Sequence, residues 1–395
     1  MSTATAELPT HMEASPWSSY LKRAGIAYLV TRLCVMAGAA IVAAQQVAES
    51  NRLGEPRPRN AIGLITQVLT SWDGAWYYRI VRDWYPTMIP VDVTYDDMEA
   101  RAAFFPVFPM LVRAVDAVLP GGDVFAGILL NFVLGATAIY LVGLLTRDLF
   151  GQRIAYRAMI LMCFFPGSMA LSLTYSEATL ITVAAGCLLM LHRHQWLAAG
   201  VLAAIGSGTR PNGVGLIAAC AVAALLAIKD DRDWKALVAP VLAPIGFVSF
   251  QFYLYDRTGE WAWFRVQTEA WDEGTSFGLT AVKNTLEAFI RPLSSPTDTI
   301  TALSVMVTVA LLVVLWKRRL PWPMVAFTLV VLALMVLPST VTARPRFLYT
   351  AFPLFISAAA WWPEEHDEAW GLTIAMSAAG LVALTGLYGV LGAIP

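Results

Sequence analysis

Long apolar stretches separated by short polar connectors run through most of the chain of 395 residues. Because a helix needs about 20 apolar residues to cross a bilayer core, these stretches predict about eleven transmembrane helices. They cover residues 24–46, 124–146, 155–173, 177–191, 196–209, 212–228, 236–255, 300–316, 322–338, 347–362 and 370–392. The two stretches between residues 177 and 209 are short, which allows a broken or tilted pair there. The pattern predicts an all-α polytopic membrane protein with one domain over residues 1–395.

Basic residues in the short connectors predict the orientation of these helices, because cytoplasmic connectors retain Lys and Arg. With the N-terminus inside, the basic connectors 147–157, 192–194, 229–235 and 317–319 all fall on the cytoplasmic side. The acidic loop 364–368 disagrees, although acids count for little in this rule. The same topology predicts two large extracytoplasmic loops, 47–123 and 256–299.

One segment of the first loop tests the predicted helix count. Residues 104–119 are apolar enough to be considered a further span, but the segment is short and contains two prolines, Arg113 and Asp116. A crossing here would also move the basic connector 147–157 to the outer side. We therefore expect an interfacial helix that lies along the membrane.

Composition agrees with a membrane protein. Hydrophobic residues make up 58% of the chain, charged residues 14%, and the mean hydropathy is +0.61. A soluble chain of this length needs more polar surface. The net charge of −1 gives no sign of a nucleic-acid partner. The frequent Ala and Val and the preference for Arg over Lys suggest a high-GC bacterium, whose plasma membrane would hold the protein.

Metal and disulfide chemistry find no support in the sequence. The four cysteines lie inside apolar runs without the spacing of a zinc site or a disulfide framework, and they predict packing: Cys34, Cys163, Cys187 and Cys220. The outer-loop acids form no clear cation cage: Asp92, Asp96, Asp97 and Glu99. We expect no metal and no cofactor.

Asp73 is the first candidate catalytic residue, because it follows Trp72 and precedes Trp76 and Tyr77 in a segment suited to the headgroup zone. A carboxylate that is partly removed from water there would be a useful general base. Arg79 and Arg82 follow at helical spacing, so local ion pairing with Asp73 is available. The alternative is structural, with Ser71 or Asp73 capping a helix.

Three further positions carry charge close to the membrane. Glu177 opens an apolar helix, so it is either a first-turn acid stabilised by the helix dipole or a hydrogen-bond acceptor for a sugar hydroxyl. Arg210 interrupts a long apolar stretch, and a charge there needs a partner or a wet cavity. Arg344 and Arg346 precede an apolar helix and would either clamp a phosphate or extend to lipid headgroups.

Four motifs in this order resemble the PIG-V type mannosyltransferases, which belong to the GT-C superfamily of multispanning glycosyltransferases. They are the Trp-Asp pair at 72–73 with its aromatic continuation, the Phe-Phe-Pro-Val-Phe-Pro segment 104–109, the segment 173–177 that ends in Glu177, and the Arg-Pro-Asn-Gly segment 210–213. The resemblance covers residues 70–215 well, and the C-terminal half shares mainly its hydropathy.

The resemblance implies a GT-C-like bundle with interfacial helices in the first loop and an inverting transfer of mannose from polyprenyl-phosphate-mannose to a glycolipid. The essential acid of the family corresponds to Asp73, here a general base. The expected substrate-binding residues are Trp72, Trp76, Tyr77, Arg79, Tyr175, Glu177, Arg210, Asn212, Arg344 and Arg346. Trp261, Trp263, Phe264 and Trp271 of the second loop would stack on acceptor sugars or belong to an interfacial belt.

Two other function classes remain open from the sequence. A lipid or polysaccharide transporter would use Glu177 and Arg210 as charges along its path, but inverted repeats are not visible. A membrane acyltransferase would need a histidine beside an acid on the outer face, and none of the four histidines lies in such a motif: His11, His192, His194 and His366. The acceptor in a bacterium would be a phosphatidylinositol mannoside, another glycolipid or a cell-wall glycan.

Overall fold

A computed structural model describes residues 16–54, 60–340, 342–363 and 365–390. The first helices in chain order are α1 (Trp17–Arg52), α2 (Ala61–Thr70), α3 (Asp73–Asp83), α4 (Val107–Asp116), α5 (Gly122–Phe150), α6 (Gln152–Phe164), α7 (Glu177–His192), α8 (Trp196–Ser207) and α9 (Gly215–Asp231). They are followed by α10 (Val238–Leu242), α11 (Ile245–Thr258), α12 (Ala262–Glu269), α13 (Leu279–Ile290), α14 (Pro296–Lys317), α15 (Trp322–Val336), α16 (Pro345–Thr350), α17 (Pro353–Trp361) and α18 (Asp367–Gly389). Four 3₁₀ turns lie at Met98–Ala103, Pro166–Leu171, Pro211–Val214 and Trp234–Leu237.

The predicted all-α membrane fold is confirmed. Within the described residues, six helical segments are long and apolar enough to cross a membrane: Trp17–Arg52, Gly122–Phe150, Pro211–Asp231, Trp234–Thr258, Pro296–Lys317 and Asp367–Gly389. Each contains or largely covers one predicted span, except that residues 391–392 of the last lie outside the described residues. The predicted spans near 177–191, 196–209 and 322–338 are shorter apolar helices.

Three predicted spans are divided between helices. The stretch 236–255 contains α10 and α11, which are separated at residues 243–244 next to Pro244. The stretch 155–173 divides after α6, where Pro166 starts a 3₁₀ turn, and the stretch 347–362 divides between α16 and α17 at Pro353. Proline lacks the N–H that would continue a helix and clashes with the preceding turn. Hydropathy alone does not detect such breaks, because the residues on both sides remain apolar.

Buried polar side chains satisfy the backbone of the unwound segment between α6 and α7. Arg32 of α1 donates from Nη1 to the Ser168 carbonyl oxygen at 2.7 Å. Asn131 of α5 donates from Nδ2 to the carbonyl oxygens of Leu173 at 2.5 Å and Tyr175 at 2.8 Å. Carbonyl groups freed from a helix inside a membrane protein need such donors. These bonds fix the chain that leads into Glu177.

The two predicted large loops contain several short helices. Helices α2, α3 and α4 follow α1, and α4 has only 10 residues, which agrees with the expected non-spanning segment. Helices α12 and α13 lie between α11 and α14. Aromatic contacts join the two loops, since Trp76 of α3 packs against Phe104 and against Trp271 of the second loop. The loops therefore form one packed layer beside the start of α3.

Candidate active site

Asp73 begins α3 immediately after a strained residue. Trp72 has a φ of 56°, a left-handed value that a bulky residue seldom adopts. Gly74 packs directly against Thr174, where an added Cβ would lie 2.6 Å from Oγ1 of that threonine. This close approach brings the start of α3 against the segment that precedes α7. It also places the Asp73 backbone N–H 3.3 Å from the hydroxyl oxygen of Tyr175, which accepts from it.

Two carboxylates and two guanidinium groups form a buried network at this point. Arg346 Nη1 lies 2.5 Å from Asp73 Oδ2 and 3.6 Å from Glu177 Oε1. Arg210 Nη1 lies 2.5 Å from the same Glu177 oxygen. The Arg346 and Glu177 side chains are 4% and 1% exposed, whereas Asp73 is 19% exposed. Of the two acids, Asp73 is therefore the one that an incoming molecule reaches.

Arg346 keeps its positive charge in this network. Burial alone would lower the pKa of its guanidinium, but Asp73, Tyr175 and Glu177 outweigh burial and raise the pKa well above the ordinary value. Arg346 also lies over the Tyr175 ring, with its guanidinium carbon 5.0 Å from the ring centre. The group stays positively charged at any physiological pH.

The structure decides between the alternatives for Asp73 and its neighbouring arginines. Neither Ser71 nor Asp73 caps α3 through its side chain, because the N-cap residue is Trp72 and Asp73 is the first helical residue. The local ion pairs that the spacing makes available to Asp73 do not form. Arg82 pairs with Asp123 of α5 at 2.6 Å, and Arg79 lies over the Trp76 ring at 4.1 Å. Asp73 is thus free to pair with a residue that is distant in the sequence.

Tyrosine hydroxyl groups surround the same site. Tyr77 donates to Ser176 Oγ at 2.7 Å, and its pKa is raised because burial outweighs the opposing influence of Arg210. Tyr388 of α18 donates to the Ser71 carbonyl oxygen at 2.7 Å and lies 3.0 Å from the Tyr175 hydroxyl. Helix α18 is therefore hydrogen-bonded to the residues around Asp73.

Arg344 is buried and forms no ion pair with an acid among the described residues. Its Nη1 donates to Thr301 Oγ1 at 2.6 Å and to the Thr297 carbonyl oxygen at 3.3 Å. No described carboxylate lies within ion-pair distance of Arg344, and burial together with nearby Arg346 lowers its pKa to about 10. Because Arg344 and Arg346 are each only 4% exposed, the alternative in which they extend to lipid headgroups is wrong.

The other predicted site residues lie at different distances from the network. Trp72 is half-buried, and its Nε1 has no hydrogen-bond partner among the described residues. Asn212 donates to Thr350 Oγ1 at 3.3 Å. Trp76 is 3% exposed inside the aromatic layer of the loops, and its described contacts do not include the carboxylates. A role in substrate binding stays a prediction for all three.

The aromatic residues of the second loop divide into two kinds. Trp263 and Trp271 are packed, and their indole nitrogens donate to the carbonyl oxygens of Ala103 at 3.1 Å and Ala100 at 3.3 Å. Trp261 and Phe264 are 47% and 49% exposed. Packing explains the first pair, and only the second pair offers open ring faces to an acceptor or to lipid.

Two surface clefts lie apart from the ion network. One of about 160 Å³ lies beside the C-terminal ends of α7 and α9 and is lined by His194, Asp230 and mainly apolar residues. The other, of about 400 Å³, runs between α1, α6 and α18 and has Arg23 and Trp370 in its wall. Neither includes Asp73 or its partners. In the described ranges, groups of three or more His, Cys, Asp or Glu side chains suited to a metal ion do not occur.

Sequence reasoning missed three residues that support the site: Arg32, Asn131 and Tyr388. Arg32 and Asn131 carried a usable signal, because a polar side chain inside a predicted span has a functional or structural partner by default. Tyr388 carried none, since a tyrosine near the end of a span is ordinary in membrane proteins.

Comparison with known proteins agrees with this architecture. A family model described as dolichyl-phosphate-mannose-protein mannosyltransferase matches residues 103–254. ArnT from Cupriavidus metallidurans, whose structure was solved bound to undecaprenyl phosphate, is similar with a TM-score of 0.50 and 14% identity over 81% of this chain. The chain spans 64% of the length of ArnT. No curated protein sequence matches the chain.

Archaeal oligosaccharyltransferases are also among the similar structures. The apo enzyme of Archaeoglobus fulgidus has a TM-score of 0.42 and 16% identity, over 92% of this chain and 56% of that one. AglB of the same organism, in complex with an inhibitory peptide and a dolichol-phosphate, has a TM-score of 0.43 and 13% identity, over 95% and 56%.

The helical bundle and the likeness to ArnT define the class of the fold. The chain is an all-α polytopic membrane protein that shares its fold with ArnT. The narrower resemblance to the PIG-V type rests on the four sequence motifs.

Proposed function

We propose that the protein is an inverting glycosyltransferase that moves mannose from polyprenyl-phosphate-mannose to a hydroxyl group of a glycolipid at the extracytoplasmic membrane face. Asp73 is the general base. The pairing of Asp73 with Arg346, beside Glu177 and Arg210, is the observation that carries the proposal. The fold shared with ArnT supports it independently of these side chains.

The reaction needs a base and an anion-binding group close together. The acceptor hydroxyl must lose a proton as its oxygen attacks the anomeric carbon, and the departing lipid phosphate must have its charge held. Asp73 is the more exposed acid and lies in contact with a guanidinium. A base and an anion-binding group in contact within one small site favour a displacement reaction at a sugar phosphate over a path for transport.

A lipid-linked donor fits the cations of the site. Arg210, Arg344 and Arg346 are all buried, and guanidinium groups bind phosphate oxygens in pairs of parallel hydrogen bonds. Arg344 lacks a described carboxylate partner, so its charge is available to a phosphate. The undecaprenyl phosphate bound by similarly folded ArnT supports a polyprenyl carrier for this chain as well.

The acceptor is proposed to be a glycolipid, such as a phosphatidylinositol mannoside. Exposed Trp261 and Phe264 offer ring faces for sugar stacking in the second loop. Glu177, the other acid of the network, would orient the reacting groups through Arg346 and Arg210.

Transfer of radiolabelled mannose from polyprenyl-phosphate-mannose into membrane lipids tests the proposal. Wild type should label a glycolipid, and Asp73→Asn should not, at equal amounts of folded protein. Asp148→Asn is the matched control, because Asp148 also pairs with an arginine, but at the far end of α7. Equal labelling by wild type and Asp73→Asn would exclude Asp73 as the base. An absence of labelling by wild type with every lipid extract would favour another donor or transport.

A further inference from the structure

We propose that Arg346 is a counter-ion shared by the base and the leaving phosphate, and that its charge is transferred from Asp73 to the phosphate as the sugar moves. This inference rests on the proposed function and adds to it a coupling between the two halves of the reaction.

The position of Arg346 suggests the sharing. A single nitrogen, Nη1, contacts Asp73 at 2.5 Å and Glu177 at 3.6 Å. The Nε atom of the same guanidinium is buried and has no hydrogen-bond partner among the described residues. A buried donor without a partner is costly. Arg346 therefore has hydrogen-bonding capacity that Asp73 and Glu177 leave unused.

The charges around Arg346 match a donor with one negative charge. Three guanidinium groups, those of Arg210, Arg344 and Arg346, stand against the two carboxylates of Asp73 and Glu177, which leaves one positive charge. Asp298 lies toward Arg344 but forms no ion pair with it in the described structure. A sugar linked to a lipid through a phosphate diester carries one negative charge, so the loaded site is neutral.

Charge moves within the site during transfer. The acceptor oxygen forms a bond to the anomeric carbon, the bond from that carbon to the phosphate oxygen breaks, and its electron pair stays on the phosphate. The hydroxyl proton goes to Asp73. The carboxylate becomes neutral at the same time as the diester becomes a monoester with a second negative charge. Arg346 then loses the charge of Asp73, its nearer ion-pair partner, just as the phosphate gains a second negative charge, and the site stays neutral overall.

A neutral side chain at position 73 should imitate the state after transfer. In Asp73→Asn the five-residue cluster carries two positive charges and Arg346 has no competing carboxylate on that side. The variant should favour a phosphate monoester dianion, which resembles the product, over a monoanionic diester, which resembles the donor. A purely structural role for the Asp73 and Arg346 pair predicts no such selectivity.

Binding of farnesyl phosphate and of its monomethyl ester to the purified full-length protein in detergent tests this inference by calorimetry. At pH 8 the monoester is a dianion, because its second pKa is about 6. Asp73→Asn should bind the monoester about tenfold more tightly than wild type, a change of about 1.4 kcal/mol. The diester should gain little, and Asp148→Asn should match wild type for both probes.

Each other outcome has a distinct meaning. If wild type binds the monoester and Asp73→Asn binds it no more tightly, the shared counter-ion is wrong while the proposed function stands. If wild type binds neither probe, the proposed lipid-phosphate donor is wrong and the inference fails with it. Asp73→Ser provides a second neutral side chain should the Asn variant not fold.

Discussion

The two ends of α7 carry the same chemical groups in opposite surroundings. Glu177 begins the helix inside the buried network with Arg210 and Arg346. Arg193 follows the last helical residue and pairs with Asp148 at 2.7 Å, with side chains that are 38% and 20% exposed. The helix has 16 residues, which at 1.5 Å per residue separates these pairs by about 24 Å.

This difference indicates where function resides. An exposed ion pair stabilises the fold weakly, so its loss changes the free energy of unfolding little. A buried network is expensive to desolvate, and apolar residues of similar size would often stabilise a fold as well. The network at the start of α7 is therefore hard to explain by stability alone, whereas the pair at its end needs no functional explanation.

The largest effect should come from neutralising the acid that the substrate reaches. Asp73→Asn should lower the turnover rate of mannose transfer by about 10³-fold, because general-base catalysis contributes between about 10² and 10⁴. Turnover is measured with saturating donor. Asp148→Asn should turn over at the wild-type rate. A similar loss of turnover in both variants would contradict the distinction drawn between the two ends of α7.

Removing the shared cation should strongly destabilise the fold. Arg346→Ala leaves Asp73 and Glu177 without this partner in a buried site, and the free energy of unfolding should fall by about 3 kcal/mol. Equilibrium unfolding in mixed detergent micelles measures the change. If Arg346→Ala lowers the free energy of unfolding by less than Arg193→Ala does, then Asp73 and Glu177 become hydrated in the variant and the burial of the network contributes little.

An intermediate effect should follow from Asn131→Asp. This change removes at least one of the two hydrogen bonds to the Leu173 and Tyr175 carbonyl oxygens with little change in side-chain size, because even a protonated carboxyl has a single donor hydrogen. The free energy of unfolding should fall by about 2 kcal/mol, since buried acceptors lose their donor. Asn51→Asp, on the exposed end of α1, is the matched control and should cost clearly less, because only the helix dipole disfavours the new charge there. Equal unfolding curves for both variants would mean that Asn131 does not stabilise the segment that leads into Glu177.

The smallest effect is expected at the far end of α7. Arg193→Ala should lower the free energy of unfolding by about 0.5 kcal/mol or less, and added salt should reduce that difference further. The same unfolding experiment with and without salt measures it. A salt-independent loss of several kcal/mol would place this pair in the same energetic class as the network around Glu177.

The long helices were predictable from the sequence because a run of about 20 apolar residues is a local property. The interruptions near Pro166 and Pro353 were not, since the unwound backbone depends on donors such as Asn131 from other helices. Prolines inside an apolar run were the available signal.

The site was predictable in its members more than in its contacts. Asp73, Glu177, Arg210 and Arg346 were expected on one membrane face, and they are in contact. The contact between Asp73 and Arg346 was not predicted, because the two residues are 273 positions apart. Sequence spacing predicts contacts only between residues that are close in the chain, such as Asp73 and Arg79. Cation–π stacking on Trp76 occupies that nearer arginine instead.

The separation between Asp73 and Arg346 also bears on how the protein is made. Chains are synthesised from the N-terminus, so the first loop and α7 enter the membrane well before the segment that carries Arg346. Until then, Asp73 lacks the cation that later pairs with it, and water or a temporary partner must serve, whereas Glu177 can already pair with Arg210. A nascent chain halted before residue 346 should therefore hold its first loop open, and completion of biogenesis becomes the step that closes the end of the bundle around Asp73.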